Sequence, residues 1–254
     1  MTQRMDDDRG LTGRVALVTG AGKGIGAATA VQLASAGARV ALAARTDGDL
    51  AKIAAFIHES GGEALPVRCD VTDEAQVERL FREVGDRLGP VDVLVNNAGL
   101  AAAAPFDEQA TAEWRRLLDT NLVSTLLCAR AALRDMRARR RGVIVNVASV
   151  SGVSGVEKLP GLCVYAAAKA GVIAFSEALA AEARPHGVRV LCVSPASVKT
   201  DGLRAVAPPE VVDKAMTPGR VAGLITFLCG DVASAVSGSN LVVWGPPATT
   251  PAAV

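Results

Sequence analysis

Residues 15–37 read VALVTGAGKGIGAATAVQLASAG. The apolar run Val15–Val18 has the length and β-rich composition of a buried strand, and the alanine-rich stretch after Gly26 reads as a helix. Between them lies TGAGKGIG, Thr19–Gly26. Glycines at 20, 24 and 26 let the chain turn tightly and approach a pyrophosphate closely, which then sits on the amide donors of the helix N-terminus. The spacing is GxxxGxG rather than the GxGxxG of the common dinucleotide fingerprint. Its place at the end of the first strand and the start of a helix makes it a phosphate loop.

The same rhythm continues outward. Short apolar runs occur at 15–18, 40–43, 65–69, 91–95, 143–147, 188–193 and 241–243, separated by longer alanine- and leucine-rich stretches. Continuous hydrophobicity suits strands covered on both faces. Gly37, Gly61-Gly62, Gly89-Pro90, Gly142 and Pro185 close the helical stretches. This pattern predicts an α/β fold, a doubly wound parallel sheet of about seven strands with helices on both faces and right-handed crossovers. No linker interrupts it, so 11–246 is expected as a single domain, with 1–10 and 247–254 as flexible tails.

The second strand ends in ARVALAARTD, with Ala44-Arg45-Thr46 at its tip. A carboxylate there would hold the ribose 2′-hydroxyl of NAD. None is present, whereas Arg45 and Lys23 could both meet a 2′-phosphate, so NADP(H) is favoured over NAD(H). The alternative is that Arg45 is solvated and stacks on adenine.

Composition excludes several other classes. The 27 basic and 26 acidic residues nearly cancel, which gives no charge footprint for nucleic acid. His58 and His186 lack neighbours at ligand spacing, so no metal site is expected. Five scattered cysteines without a CxxC pair read as free thiols in a reducing compartment, four of them in apolar, buried-looking stretches. The start, MTQRMDDDRG, is no signal peptide, and no uncharged apolar run reaches the length of a membrane span. A cytoplasmic protein is expected. The basic run Arg137–Arg141 closes a helix before Gly142, where cations complement the helix dipole, and is read as a solvated helix end.

Three further motifs stand at strand ends or on a helix: NNAG at Asn96–Gly99, Asn146-Val-Ala-Ser149, and YAAAK at Tyr165–Lys169. Tyr165 is the chain's only tyrosine. With the glycine loop, these motifs in this order resemble the short-chain dehydrogenase/reductase family from Gly13 to about Gly245, in particular its single-domain 3-oxoacyl reductases. The resemblance implies a catalytic tetrad of Asn121, Ser149, Tyr165 and Lys169.

Physical chemistry suits each of these residues. Tyr165 and Lys169 are four residues apart and share a helix face. A free phenol has a pKa of about 10 and exchanges protons poorly at neutral pH. A neighbouring ammonium and an oxidised nicotinamide are expected to lower it. Ser149 can donate to a carbonyl oxygen as negative charge develops there. In the family the asparagine matching Asn121 distorts its helix and holds a water that links the lysine to solvent.

The resemblance also implies a set of cofactor contacts. Gly20, Lys23, Gly24, Ile25 and Gly26 belong to the phosphate loop, which Thr19 braces. Asp70 and Val71 approach adenine, and Asn97, Ala98 and Gly99 the adenosine ribose. Pro195, Val198 and Thr200 approach the nicotinamide, together with Tyr165 and Lys169, and Arg45 serves the 2′-phosphate.

Four features depart from the family pattern: Ala196 for the usual glycine, Leu191 for the usual asparagine, extra residues at Val156–Pro160, and Trp244-Gly245-Pro246 for Asp-Gly-Gly. They bear on substrate shape and subunit packing. The expected reaction is reversible hydride transfer between NADPH and a ketone, with Tyr165 as acid during reduction. Its pocket should be framed by Leu100–Ala104, Ser151–Leu162 and Ala196–Met216. An apolar ketone, including a 3-oxoacyl thioester, suits that frame. A carboxylate or phosphate held by Lys158, Lys199 or Arg204 remains the alternative. An epimerase or dehydratase using the cofactor transiently, and a non-catalytic nucleotide-binding scaffold, are rival readings. No membrane or nucleic-acid partner is expected. Helices bearing Asn121 and Tyr165 are implied to pack against neighbouring subunits in a homotetramer, or else a dimer.

Overall fold

A computed structural model describes residues 10–245. The expected tails fall outside the described residues, apart from Gly10. The first half alternates β1 (Val15–Thr19), α1 (Gly24–Ser35), β2 (Arg39–Ala44), α2 (Asp47–Glu59), β3 (Glu63–Arg68), α3 (Glu74–Leu88) and β4 (Val93–Asn96). The second half runs α4 (Thr111–Leu118), α5 (Ser124–Arg139), β5 (Gly142–Val147), α6 (Cys163–Ala183), β6 (Val188–Pro195), α7 (Asp201–Arg204), α8 (Pro209–Lys214), α9 (Pro218–Cys229) and β7 (Asn240–Val243). All seven expected strands are present.

The strands form one parallel sheet in the order β3-β2-β1-β4-β5-β6-β7. Period-two geometry divides each central strand between two apolar layers. Ala16 and Val18 face the core beside α1, α2 and α9, while Val15 and Leu17 face the core beside α3, α5 and α6. Both layers are closed by small residues such as Ala30, Ala129 and Ala180, which let helices lie close to the sheet. The exceptions to two-sided burial are β7, whose four residues are only half-buried, and β3, where only Leu65 and Val67 are buried. β3 is an edge strand, which also explains how it tolerates Pro66.

The chain leaves β1 toward β2 and β3, then returns to place β4 on the other side of β1. This reversal opens a crevice beyond the carboxyl ends of β1 and β4, the place where α/β sheets bind ligands.

The basic run at the end of α5 does more than end a helix. Arg139 Nη1 donates to Asp92 Oδ1 at 2.9 Å, Arg141 lies 3.5 Å from the same oxygen, and Val15 N donates to Oδ2 at 3.2 Å. The run thus satisfies a largely buried aspartate at the amino end of the sheet. Among the described residues one helix, Cys163–His186, is long and apolar enough to cross a membrane by length and composition. It packs along β6 and carries Tyr165 and Lys169.

Candidate active site

The glycine loop is built by contacts that only a bare backbone permits. A Cβ on Gly26 would stand 2.3 Å from Gly20 O and 2.4 Å from Asn97 Nδ2. Asn97 itself ties β4 to the loop, its Nδ2 donating to Thr19 O at 3.0 Å and Gly20 O at 3.2 Å. Thr19 Oγ1 accepts from Asn97 N at 3.0 Å and Ala98 N at 3.1 Å. The first turn of α1 has no side-chain cap and no acidic residue, so its amide donors are free for an anion. A pyrophosphate fits this cradle.

Across the crevice, Ser149 stands two residues beyond β5, and Tyr165 and Lys169 stand one turn apart near the start of α6. Gly152 brings the segment after Ser149 against that helix: a Cβ there would meet Lys169 C and Ala170 N, each at 2.5 Å. The helix expected through Asn121 is interrupted by a π turn at Asp119–Val123, between α4 and α5. Asn121 is fully buried in it. Its Nδ2 donates to Leu117 O at 2.9 Å and Leu100 O at 2.8 Å, and its Oδ1 accepts from Leu100 N at 3.1 Å. The side chain thus stabilises the widened turn and pins the segment after Gly99 above Lys169.

Lys169 is 4% exposed and donates from Nζ to Val147 O at 3.0 Å. Burial pushes its pKa down to about 8, with the Cys192 thiol beneath it acting in the opposite direction. Burial also raises the Tyr165 pKa, and a hydrogen bond with the Ser149 side chain pulls it back. The expected lowering of the phenol by the ammonium is therefore not the dominant effect; burial is. The amine lies 5.8 Å from the Tyr165 ring centroid, and burial penalises the charged form of both groups.

One cavity of about 400 Å³ unites these parts. Gly20, Lys23, Gly24, Ile25, Asn97, Ala98 and Gly99 line it, as do Asn121, Ser149, Tyr165, Lys169, Pro195, Val198 and Thr200.

A short chain dehydrogenase family model matches residues 14–210. The chain belongs to the short-chain dehydrogenase family. It is accordingly an NAD(P)-dependent oxidoreductase of the ketoreductase and alcohol dehydrogenase type. This short-chain dehydrogenase is 40% identical to a cis-4-hydroxycyclohexanecarboxylate dehydrogenase of Sinomonas cyclohexanicum, over 91% of this chain and 95% of that protein. It is 37% identical to a 3-oxoacyl-[acyl-carrier-protein] reductase of Synechocystis, over 92% of this chain and 97% of the relative. Among solved structures, a 7α-hydroxysteroid dehydrogenase complexed with NADH and 7-oxo glycochenodeoxycholic acid superposes with a TM-score of 0.89 at 31% identity. That match covers 96% of this chain and 98% of the other.

Other expected residues of this short-chain dehydrogenase stand outside the cavity wall. Thr19 and Gly26 lie behind the loop as its braces. Arg45 is exposed beyond β2, and Asp70 and Val71 follow β3. Asp70 Oδ1 accepts from Thr72 N at 3.0 Å and from Thr72 Oγ1 at 2.8 Å. Sequence reasoning missed Asp49, whose carboxylate stands 3.4 Å from Lys23 Nζ, and Asp201, 3.9 Å from the same nitrogen. Lys23 is thus a shared cation rather than a free one. Its partners come from α2 and α7, and nothing in local spacing announces that meeting. The Cys192 thiol below Lys169 was also missed, because β6 reaches it only through the sheet order.

Proposed function

We propose that the protein is an NADP(H)-dependent ketoreductase that interconverts a ketone and its secondary alcohol, with Asn121, Ser149, Tyr165 and Lys169 as its working residues. The observation that carries this is the convergence of Ser149, Tyr165 and Lys169 on the cavity that the glycine loop also lines. Bound NADP(H) supplies the hydride. Tyr165 holds the proton at its hydroxyl and delivers it to the substrate oxygen during reduction. Ser149 donates to the same oxygen as charge builds there. Lys169 keeps one hydrogen bond to Val147 O and has others to offer toward the ribose side of the cleft. Asn121 holds the roof over that amine through Leu100.

The α1 N-terminus with Gly20, Gly24 and Ile25 would hold the pyrophosphate, and Asn97, Ala98 and Gly99 the adenosine ribose. Asp70 and Val71 would hold adenine, and Pro195, Val198 and Thr200 the nicotinamide. Arg45 and Lys23 favour a 2′-phosphate, since the tip of β2 carries an exposed arginine and no carboxylate. A cytoplasmic setting is supported by four buried free thiols, Cys69, Cys128, Cys192 and Cys229. A homotetramer is supported by apolar residues left exposed: Val123 and Leu126 around the start of α5, Phe227 on α9, and Trp244 just after β7. The domain limits are 11–246.

Titrating NADPH and NADH in parallel against the protein's fluorescence, and then against a ketone at the reduced-nicotinamide absorbance, tests the cofactor reading. NADPH should bind at least about tenfold more tightly, as one extra charge-assisted contact gives. Equal affinity for the two would refute the roles given to Arg45 and Lys23.

A further inference from the structure

The cavity is lined mostly by apolar side chains. Its charged lining residues are Lys23 and Asp201, near the glycine loop, and Lys169, one turn from Tyr165. Its apolar wall includes Leu100, Val150, Leu159, Leu162, Leu203 and Val206. The three cations that the sequence offers for an anionic substrate do not reach this wall. Lys158 donates to Val153 O, turning its charge onto its own loop. Arg204 Nη1 bonds Asp201 Oδ1 at 3.0 Å. Lys199 is fixed through its backbone to Met216 O at 2.8 Å, and its side chain is absent from the lining.

We propose that the substrate is an uncharged, compact alicyclic or branched ketone, and that the wall rejects ketones carrying a carboxylate or phosphate near the carbonyl. The proposal rests on the hydride-transfer reading above: the carbonyl carbon takes a hydride and its oxygen the Tyr165 proton, giving a secondary alcohol. An anion settling against this wall loses its water and meets mostly hydrocarbon; the nearby cation, Lys169, is already bonded to Val147 O and given to the ribose side of the cleft. A neutral ring gains the opposite way, because it covers apolar surface that is otherwise wet. Leu159 is 63% exposed and Val211 39% exposed although both line the cavity. The loop bearing Leu159 is held in place rather than free, since Ala104 N donates to Gly161 O at 3.1 Å. Size follows from the same cavity. About 400 Å³ has to contain the nicotinamide as well as the substrate, which leaves room for one or two rings. Ala196 adds a methyl to that wall where the family usually has none.

The test uses the wild-type enzyme, NADPH and matched ketone pairs on cyclopentanone, cyclohexanone and decalone skeletons. Each pair consists of a ring carboxylate and its methyl ester, and a straight-chain 3-oxoacyl thioester is added. For every skeleton turned over, kcat/KM for the ester should exceed that for the acid by at least about a hundredfold. Val206→Lys, which places a cation in the wall, should shrink that ratio by raising kcat/KM for the acid. Acid and ester reduced equally well would overturn the proposal, as would a thioester preferred over every ring, and in both cases ketone reduction itself would stand. NADPH that binds but is oxidised by no ketone of either charge would instead refute the hydride-transfer reading, and the proposal with it.

Discussion

Lys169 shows how burial and function share one residue. Its amine sits under the Gly99–Leu100 segment with a single carbonyl partner, and burial lowers its pKa from 10.5 to about 8. Between those two values the unfolded chain binds more protons at this site than the folded protein, so stability rises with pH across that window. Below about pH 8 both states are protonated and the full penalty applies. Buried thiols act oppositely at higher pH: Cys69 and Cys192 are raised to about 11 and Cys229 to about 12, so the unfolded chain ionises first. Comparing wild type with Lys169→Met isolates the lysine. Denaturant unfolding without nucleotide should show the wild type gaining about 2 kcal/mol on the variant between pH 7 and about pH 9.5. A difference that stays flat with pH would mean that Lys169 is not desolvated as described.

At the scale of elements, the join between β4 and α5 supports the sheet at one end and the site at the other. Asp92, just before β4, gathers Val15 N, Arg139 and Arg141 at the amino edge, far from the cavity at the carboxyl edge. Asp92→Ala leaves the buried Val15 amide without its acceptor and takes the carboxylate from Arg139, which keeps Asp135 and Val91 O, and from the exposed Arg141. It should cost about 2–3 kcal/mol in chemical denaturation while leaving kcat close to the wild-type value. A variant as stable as wild type would show the cluster to be solvated rather than structural.

This join also separates what local sequence reveals from what it hides. Each strand was legible from its apolar run, and the glycine loop from its position between strand and helix. The π turn was anticipated only through the family's asparagine, because TAEWRRLLDTNLVSTLL has ordinary helical composition throughout. The Asp92 cluster was illegible as well: its partners lie 47 or more residues from Asp92 and meet it only once the sheet order is fixed.

At the scale of the whole molecule, one sheet reversal brings four dispersed motifs to a single cavity, while several large apolar side chains stay exposed outside it. The tetramer proposed from those side chains predicts that sedimentation at micromolar concentration gives a species of four chains. A monomer under those conditions would remove the role assigned to Val123, Leu126, Phe227 and Trp244. The cavity's chemistry was partly legible, since its frame was expected from the loops at 100–104, 151–162 and 196–216. Its charge pattern was not, because Lys158 and Arg204 turn away through contacts made within their own loops.

The central claim is that Tyr165 passes the proton in hydride transfer, and Tyr165→Phe tests it most directly because it removes one oxygen and keeps the ring. Nucleotide binding and the rate of ketone reduction should be measured on the same preparation. NADPH should bind with nearly wild-type affinity while kcat falls at least about a hundredfold, the range over which a general acid acts. Wild-type turnover by the phenylalanine variant would contradict the account.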